Sequence, residues 1–272
     1  MMEPASMPDR LSAMFSRCRA QKEGALVTYI MGGDPDLATS RAMALACIAG
    51  GADMLEIGFP FSDPVADGPT IQHAAERALA RGTTLADCIA LAASVREKAQ
   101  TPIVLMGYLN PVLAFGLKKF FRACGEAGVD AIIVPDLLPE ESEEFGALAK
   151  ENGVKTVFLL APTSNAARRT AATQASTGFA YFVSVTGVTG AREALPSELS
   201  AQLAAVRQAS PVPVVVGFGI SGPEQAKALG ALADGVVVGS AIVSRIAEGG
   251  SRQARADRVI RFVRSLKRAL RK

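Results

Sequence analysis

Eight short apolar runs, rich in β-branched residues, recur along the chain: 25–31 (Ala-Leu-Val-Thr-Tyr-Ile-Met), 53–57, 102–106 (Pro-Ile-Val-Leu-Met), 130–135, 154–160 (Val-Lys-Thr-Val-Phe-Leu-Leu), 179–184, 212–217 (Val-Pro-Val-Val-Val-Gly) and 234–239. Between them lie stretches of helical periodicity with readable ends. Asp36 leads into Leu37, Ala44, Leu45 and Ile48 before Gly50-Gly51, and Pro139-Glu-Glu-Ser-Glu-Glu opens a segment that stops at Asn152-Gly153. Acidic first turns suit the helix dipole, and glycine stops suit the left-handed C-cap. Strict strand-helix alternation requires parallel strands. Eight such units without a linker predict a closed (β/α)₈ TIM barrel, an α/β fold in which residues 1–272 form one domain and 1–8 are a flexible lead-in. The other architecture is an open doubly wound sheet, but no G-x-G-x-x-G follows the first run. A length of 272 residues and 49% hydrophobic content suit a single large core.

Two additions decorate the eight units. Asp9-Arg-Leu-Ser-Ala-Met-Phe-Ser-Arg-Cys18 places Leu11, Met14, Phe15 and Cys18 on one helical stripe, positioned to close the bottom of the barrel. After the eighth run, Gly239-Ser240 starts a short helix, Ala241-Ile-Val-Ser-Arg-Ile-Ala247, ahead of a basic terminal one. An extra helix at this point is the usual phosphate-site device of the fold.

Composition excludes several classes of function. No run approaches the 18 apolar residues of a membrane span, and the first residues lack a basic region followed by an apolar one, so the expected location is cytoplasmic. Cys18, Cys47, Cys88 and Cys124 are widely spaced in helical segments, with His73 the only histidine; this argues for buried reduced thiols and against a metal site or disulfides. Residues 251–272 carry nine Arg and Lys against one Asp, which leaves the rest of the chain at about −5. The tail is nonetheless amphipathic, with Val259, Ile260, Val263, Leu266 and Leu270 at helical spacing, and it lacks the interleaved aromatics of single-strand binders. Nucleic acid is therefore not an expected partner.

The chemistry concentrates in Leu55-Glu-Ile-Gly-Phe-Pro-Phe-Ser-Asp-Pro-Val-Ala-Asp-Gly-Pro69. Glu56 lies inside an apolar strand, where an unpaired charge is expensive, and it falls near the C-terminal, ligand-binding end of the barrel. If Leu55 and Ile57 pack outward, Met54 and Glu56 point inward; on an edge strand, Glu56 would instead face water. Asp67, eleven residues on, can fold back over the same mouth. Two carboxylates in different surroundings can divide acid and base work. Asp63 and Asp67 are equally readable as turn residues beside Pro64 and Pro69.

A second constellation is built on glycine: Thr186-Gly-Val-Thr-Gly190, Gly217-Phe-Gly-Ile-Ser221 and Gly239-Ser240 follow the sixth, seventh and eighth runs. Glycine lets backbone amides approach an anion, and a helix N-terminus adds its positive end, so the three loops together predict a phosphate cup. Tyr108, Tyr181 and Phe218 near strand ends suggest a flat apolar substrate moiety tethered to that phosphate, whereas Tyr29 reads as barrel filling.

The stretch 55–72, with Gly32-Gly-Asp-Pro35, Gly187-Val-Thr-Gly190, Gly217-Phe-Gly-Ile-Ser221 and Gly239-Ser-Ala-Ile-Val243 in order, closely resembles the signature of the tryptophan synthase alpha subunit family from about residue 9 onward. The resemblance implies retro-aldol cleavage of indole-3-glycerol phosphate to indole and glyceraldehyde 3-phosphate, a carbon-carbon lyase reaction of tryptophan biosynthesis. It implies that indole passes to a beta subunit carrying pyridoxal phosphate, in an α₂β₂ complex, with no cofactor in this chain. By the same analogy Glu56 transfers protons and Asp67 faces the indole nitrogen. Gly190, Gly219, Gly239 and Ser240 hold phosphate, Tyr108, Tyr181 and Phe218 bound the substrate, and Thr189 sits in a closing loop. Pro60 and Asp63 meet the beta subunit. The chain departs from the family pattern at Met31, Phe179 and Val185, which bear on loop closure and partner coupling. From the residues alone, a sugar-phosphate isomerase on the same barrel and a non-catalytic activator of the partner stay open.

Overall fold

A run that is apolar on both faces can be buried only between two layers, and this governs the fold. All seven residues of β1 (Ala25–Met31) and all five of β2 (Met54–Gly58) are buried. The computed structural model describes residues 9–183, 197–217 and 219–271. After β1 and β2 come β3 (Ile103–Met106), β4 (Ala131–Ile133), β5 (Lys155–Val157), β6 (Leu159–Leu160), β7 (Ala180–Val183), β8 (Val214–Gly217) and β9 (Gly235–Val238). All paired strands are parallel, in the order β5-β4-β3-β2-β1-β9-β8-β7-β6. The two ends of that order, β5 and β6, are separated in the chain by Phe158 alone. The fifth predicted run is therefore one barrel strand in two pieces, the first pairing with β4 and the second with β7.

The surrounding helices are α1 (Arg10–Ala20), α2 (Leu37–Gly50), α3 (Pro69–Ala80), α4 (Leu85–Arg96), α5 (Leu109–Phe115), α6 (Leu117–Glu126), α7 (Glu143–Glu151), α8 (Ala166–Ala175), α9 (Ser197–Ala209), α10 (Pro223–Gly230), α11 (Ser240–Ala247) and α12 (Arg252–Ala269). Two differences from the sequence reading stand out. Two helices, not one, follow β2 and again β3, so α3 and α5 are additions set at the mouth. The helix predicted from Pro139 starts as a 3₁₀ turn (Pro139–Glu141) and becomes α-helical only at Glu143.

Side-chain alternation divides the interior from the outer layer. Ala25, Val27, Met54, Val104, Ala131, Val157, Phe179 and Val215 fill the barrel, and Leu11, Met14, Phe15 and Cys18 of α1 join the same cluster. The predicted bottom plug is thus in place, with Phe15 and Phe179 ring centroids 6.1 Å apart. Phe179 thus serves the plug. Leu26, Ile30, Leu55, Ile57, Ile103 and Leu105 face outward into the layer shared with the helices, where Val259, Val263, Leu266 and Leu270 of the basic tail are also buried.

A polar device at the bottom went unread in the sequence. Asp53, Asp130 and Asp234 each precede a strand and accept the backbone N–H of Leu26 (2.8 Å), Ile103 (2.8 Å) and Val214 (2.9 Å) at the start of the neighbouring strand. Thr177 does the same with its hydroxyl for Thr156 N–H at 2.9 Å. Arg17 and Lys267 neutralise Asp53, Arg10 and Arg96 neutralise Asp130, and Arg207 pairs with Asp234. Removing one partner of a buried ionic cluster leaves the others desolvated and unpaired. Asp53→Ala, which strips the Leu26 amide of its acceptor and leaves Lys267 with Glu23 alone, is expected to destabilise the protein by about 3–5 kcal/mol in urea unfolding.

Candidate active site

Glu56 occupies the interior row of β2 that runs Met54, Glu56, Gly58, because its neighbours Leu55 and Ile57 pack outward. The edge-strand alternative fails, since β2 pairs with β1 on one side and β3 on the other and Glu56 is 1% exposed. Its Oε2 has no hydrogen-bond partner among the described residues. Burial first, and the nearby Asp67 charge second, push the Glu56 carboxyl up to about 8.

Asp67 reaches the same mouth from the loop between β2 and α3. The loop is built by local bonds: Asp67 N–H donates to Pro64 O (3.0 Å) and Val65 N–H to Asp63 O (2.9 Å). Gln72 on the first turns of α3 donates to the Asp67 carbonyl at 2.8 Å. The Tyr108 hydroxyl accepts the Ala66 N–H at 2.9 Å and stacks near Phe61, with ring centroids 5.5 Å apart. Burial raises the Asp67 carboxyl to about 6, and interaction with the Tyr108 hydroxyl pulls against that rise. The two carboxylates thus differ by environment, the deeper one holding its proton more tightly.

Arg77 of α3 grips the buried Asp34 through two bonds of 2.7 and 2.8 Å, bracing the helix that follows the Asp67 loop. Sequence reading recognised Gly32-Gly-Asp-Pro35 and Gln72 only as parts of a signature. Their packing roles follow from α3, which was not separately predicted. Tyr29, Met31, Phe59, Phe61, Met106 and Tyr108 wall a narrow cleft with Asp67 at its side. Tyr181 is buried inside the barrel, where the charges of Glu56 and Asp67 both act on its phenol.

Of the predicted phosphate cup, Gly219, Gly239 and Ser240 lie within the described residues; Thr189, Gly190, Phe218 and Val185 lie outside them. Gly219 has a φ of +56°, and open space lies where its side chain would be. Gly239 is the N-cap of α11, whose first turn has no side-chain cap, and Ser240 is exposed. Gly217 has a different reason to be glycine: a Cβ there would lie 2.7 Å from the Tyr181 ring. Gly58 and Gly107 likewise make room for Tyr29 and Phe59. In the loop assigned to the partner, Asp63 is exposed beside Ser62, but Pro60 is buried.

Comparison with known proteins shows the family. The family model described as tryptophan synthase alpha chain matches residues 15–271. The tryptophan synthase alpha chain of Geobacter sulfurreducens is 48% identical over 261 residues, covering 96% of this chain and 98% of that protein. That of Pelobacter propionicus is 48% identical over 262 residues, covering 96% and 98%. Among solved structures, Mycobacterium tuberculosis tryptophan synthase superposes with a TM-score of 0.89 at 37% identity, covering 97% of this chain and 98% of that chain. The alpha chain from Legionella pneumophila superposes at 0.87 with 34% identity, covering 96% and 97%. With nearly half of its residues shared with such a relative along nearly its whole length, this chain belongs to the tryptophan synthase alpha chain family.

Proposed function

We propose that Glu56 and Asp67 carry out, in this chain, the family's cleavage of indole-3-glycerol phosphate to indole and glyceraldehyde 3-phosphate. The observation that carries this reading is the pair of environments: a deep carboxyl raised to about 8 and a shallower one raised to about 6 in the same mouth. Near neutral pH Glu56 starts protonated and Asp67 starts ionised. Glu56 delivers its proton to indole C3, and positive charge develops at the ring nitrogen, which Asp67 faces. The Glu56 carboxylate then takes the proton of the 3′-hydroxyl. The bond between C3 and the glycerol carbon breaks, its electrons return to the ring, and an aldehyde leaves. One residue therefore serves both proton transfers, provided that it acts as the acid first.

The aromatic cleft and Tyr181 hold the indole, and the uncapped start of α11 with Gly219, Gly239 and Ser240 receives the phosphate. The isolated chain needs no cofactor for this acid-base chemistry, and the pyridoxal phosphate of tryptophan formation belongs to the beta subunit. Four buried free thiols suit a reducing cytoplasm. The docking face for the beta subunit in an α₂β₂ assembly is the outer side of the Asp67 loop. There Ser62, Asp63 and Val65 border a groove with Gln72, Glu76 and Leu79, and Val65 is 85% exposed.

Four outcomes are expected. Glu56→Gln lowers indole release at least a hundredfold, read with and without the beta subunit. The same variant melts higher at neutral pH. The folded pKa of Glu56, about 8, lies above its unfolded value, so its stability contribution is complete below the unfolded pKa and is lost as pH rises toward 8. Glutamine escapes this loss, which amounts to about 3 kcal/mol at pH 7. For the wild type, kcat/KM is bell-shaped, with limbs near 6 and near 8 belonging to the coupled pair of carboxylates. Val65→Asp weakens partner binding about tenfold in a titration of beta-subunit activation while the isolated chain keeps its rate.

A further inference from the structure

We propose that the Tyr29 hydroxyl is a positioning group for the reaction, placed to donate a hydrogen bond to the Glu56 carboxylate once that residue has released its proton. This rests on the reading above, in which Glu56 alternates between acid and base.

Tyr29 shares its orientation with Val27, inside the barrel, while Leu26 and Ile30 face the outer layer. It is the register partner of Glu56 on the adjacent strand. Paired strands stand about 4.8 Å apart, so the two interior side chains are neighbours. The ring leans toward the mouth and over Gly58: a Cβ built at Gly58 would lie 2.1 Å from the Tyr29 hydroxyl and 2.7 Å from Cζ. The phenol thus fills the next interior place above Glu56 in the row Met54, Glu56, Gly58, a place that only a glycine leaves open.

The hydroxyl is also uncommitted. Tyr29 is buried, and its one hydrogen-bond contact among the described residues is the Met31 thioether at 4.0 Å, a weak acceptor. Below it, Glu56 Oε2 is buried without a partner among the described residues. Met31 offers only its thioether, which leaves the phenol proton free for a stronger acceptor. Asp67, Cys88 and Tyr108 face Tyr29 in addition to Glu56, and Asp67 and Tyr181 are the other groups coupled to Glu56. Burial, then the charges of Asp67 and Glu56, hold the phenol well above its ordinary value, so it stays a donor throughout. No proton leaves Tyr29 in the cycle. Glu56 gives its proton to indole C3, the new carboxylate accepts the phenolic hydrogen bond, and that bond is released when Glu56 takes the 3′-hydroxyl proton.

The test is the pH profile of indole release by the intact alpha chain with its beta subunit. Tyr29→Phe keeps the ring packed against Gly58 and removes only the hydroxyl. A hydrogen bond to a charged group stabilises the ionised form, so its loss raises the alkaline limb of kcat/KM by about one pH unit, with kcat down about tenfold and KM within about twofold. Replacement of Tyr29 by 3-fluorotyrosine, a stronger donor of nearly the same size, moves that limb the other way. An alkaline limb unchanged in both variants, or a loss confined to KM, overturns the proposal and makes Tyr29 a packing residue. If the wild type itself releases no indole, the lyase reading falls and takes this inference with it, whereas an active wild type with an unmoved limb defeats the inference alone.

Discussion

The constraint on which the site depends is the two-residue alternation of β2 inside a closed barrel. Leu55 and Ile57 fill the layer under the helices, and this commits Met54, Glu56 and Gly58 to the interior. A barrel has no edge through which an interior carboxylate could reach water, so Glu56 is held where its charged form is disfavoured. The rest of the mouth follows from that. Gly58 lacks a side chain because Tyr29 occupies its place, and Gln72 and Tyr108 hold the loop that brings Asp67 over the same opening.

Such a site needs a rigid support, and the molecule supplies it at the opposite end. The α1 plug fills the bottom with Leu11, Met14, Phe15 and Cys18, and three aspartates tie neighbouring strand starts together under cationic cover. Lys267 carries one of these ties to the C-terminal helix, since it bonds both Asp53 (2.7 Å) and Glu23 (2.8 Å). Stability is concentrated at the N-terminal face of the strands and chemistry at the C-terminal face, the division of labour usual in this architecture. A strained or unpaired group at the mouth is tolerated because the bottom does not share it.

Much of the fold was legible because burial on both faces writes itself into a chain as unbroken apolar runs, and eight of these were found at nearly their observed bounds. The bottom plug was legible from the spacing of Leu11, Met14, Phe15 and Cys18. Glu56 stood out as a charge in apolar surroundings. Other features were harder to read because they depend on what meets what. The interruption at Phe158 arises from pairing with different strands on its two sides. Gly217 looked like a phosphate-loop glycine, yet the Tyr181 ring is what excludes a side chain there. Pro60, assigned to a partner surface by resemblance, is buried. The sequence did carry a signal for the aspartate ties, Gly51-Ala-Asp53 and Gly128-Val-Asp130 leading into two of the apolar runs with the aspartate as first residue, which looks like ordinary loop chemistry until the strand starts are seen side by side.

The sequence by itself determined the number and order of the strands, the family, and the two carboxylates, because hydrophobic periodicity and an out-of-place charge are local properties of a chain. Only the tertiary structure decided that Glu56 has an oxygen without a partner among the described residues, that Asp67 differs from it in depth, and that the Tyr29 phenol lies over Gly58 in the row above Glu56. Each of these depends on barrel closure, which sets residues from different strands in one desolvated space where neighbouring charges act strongly on one another.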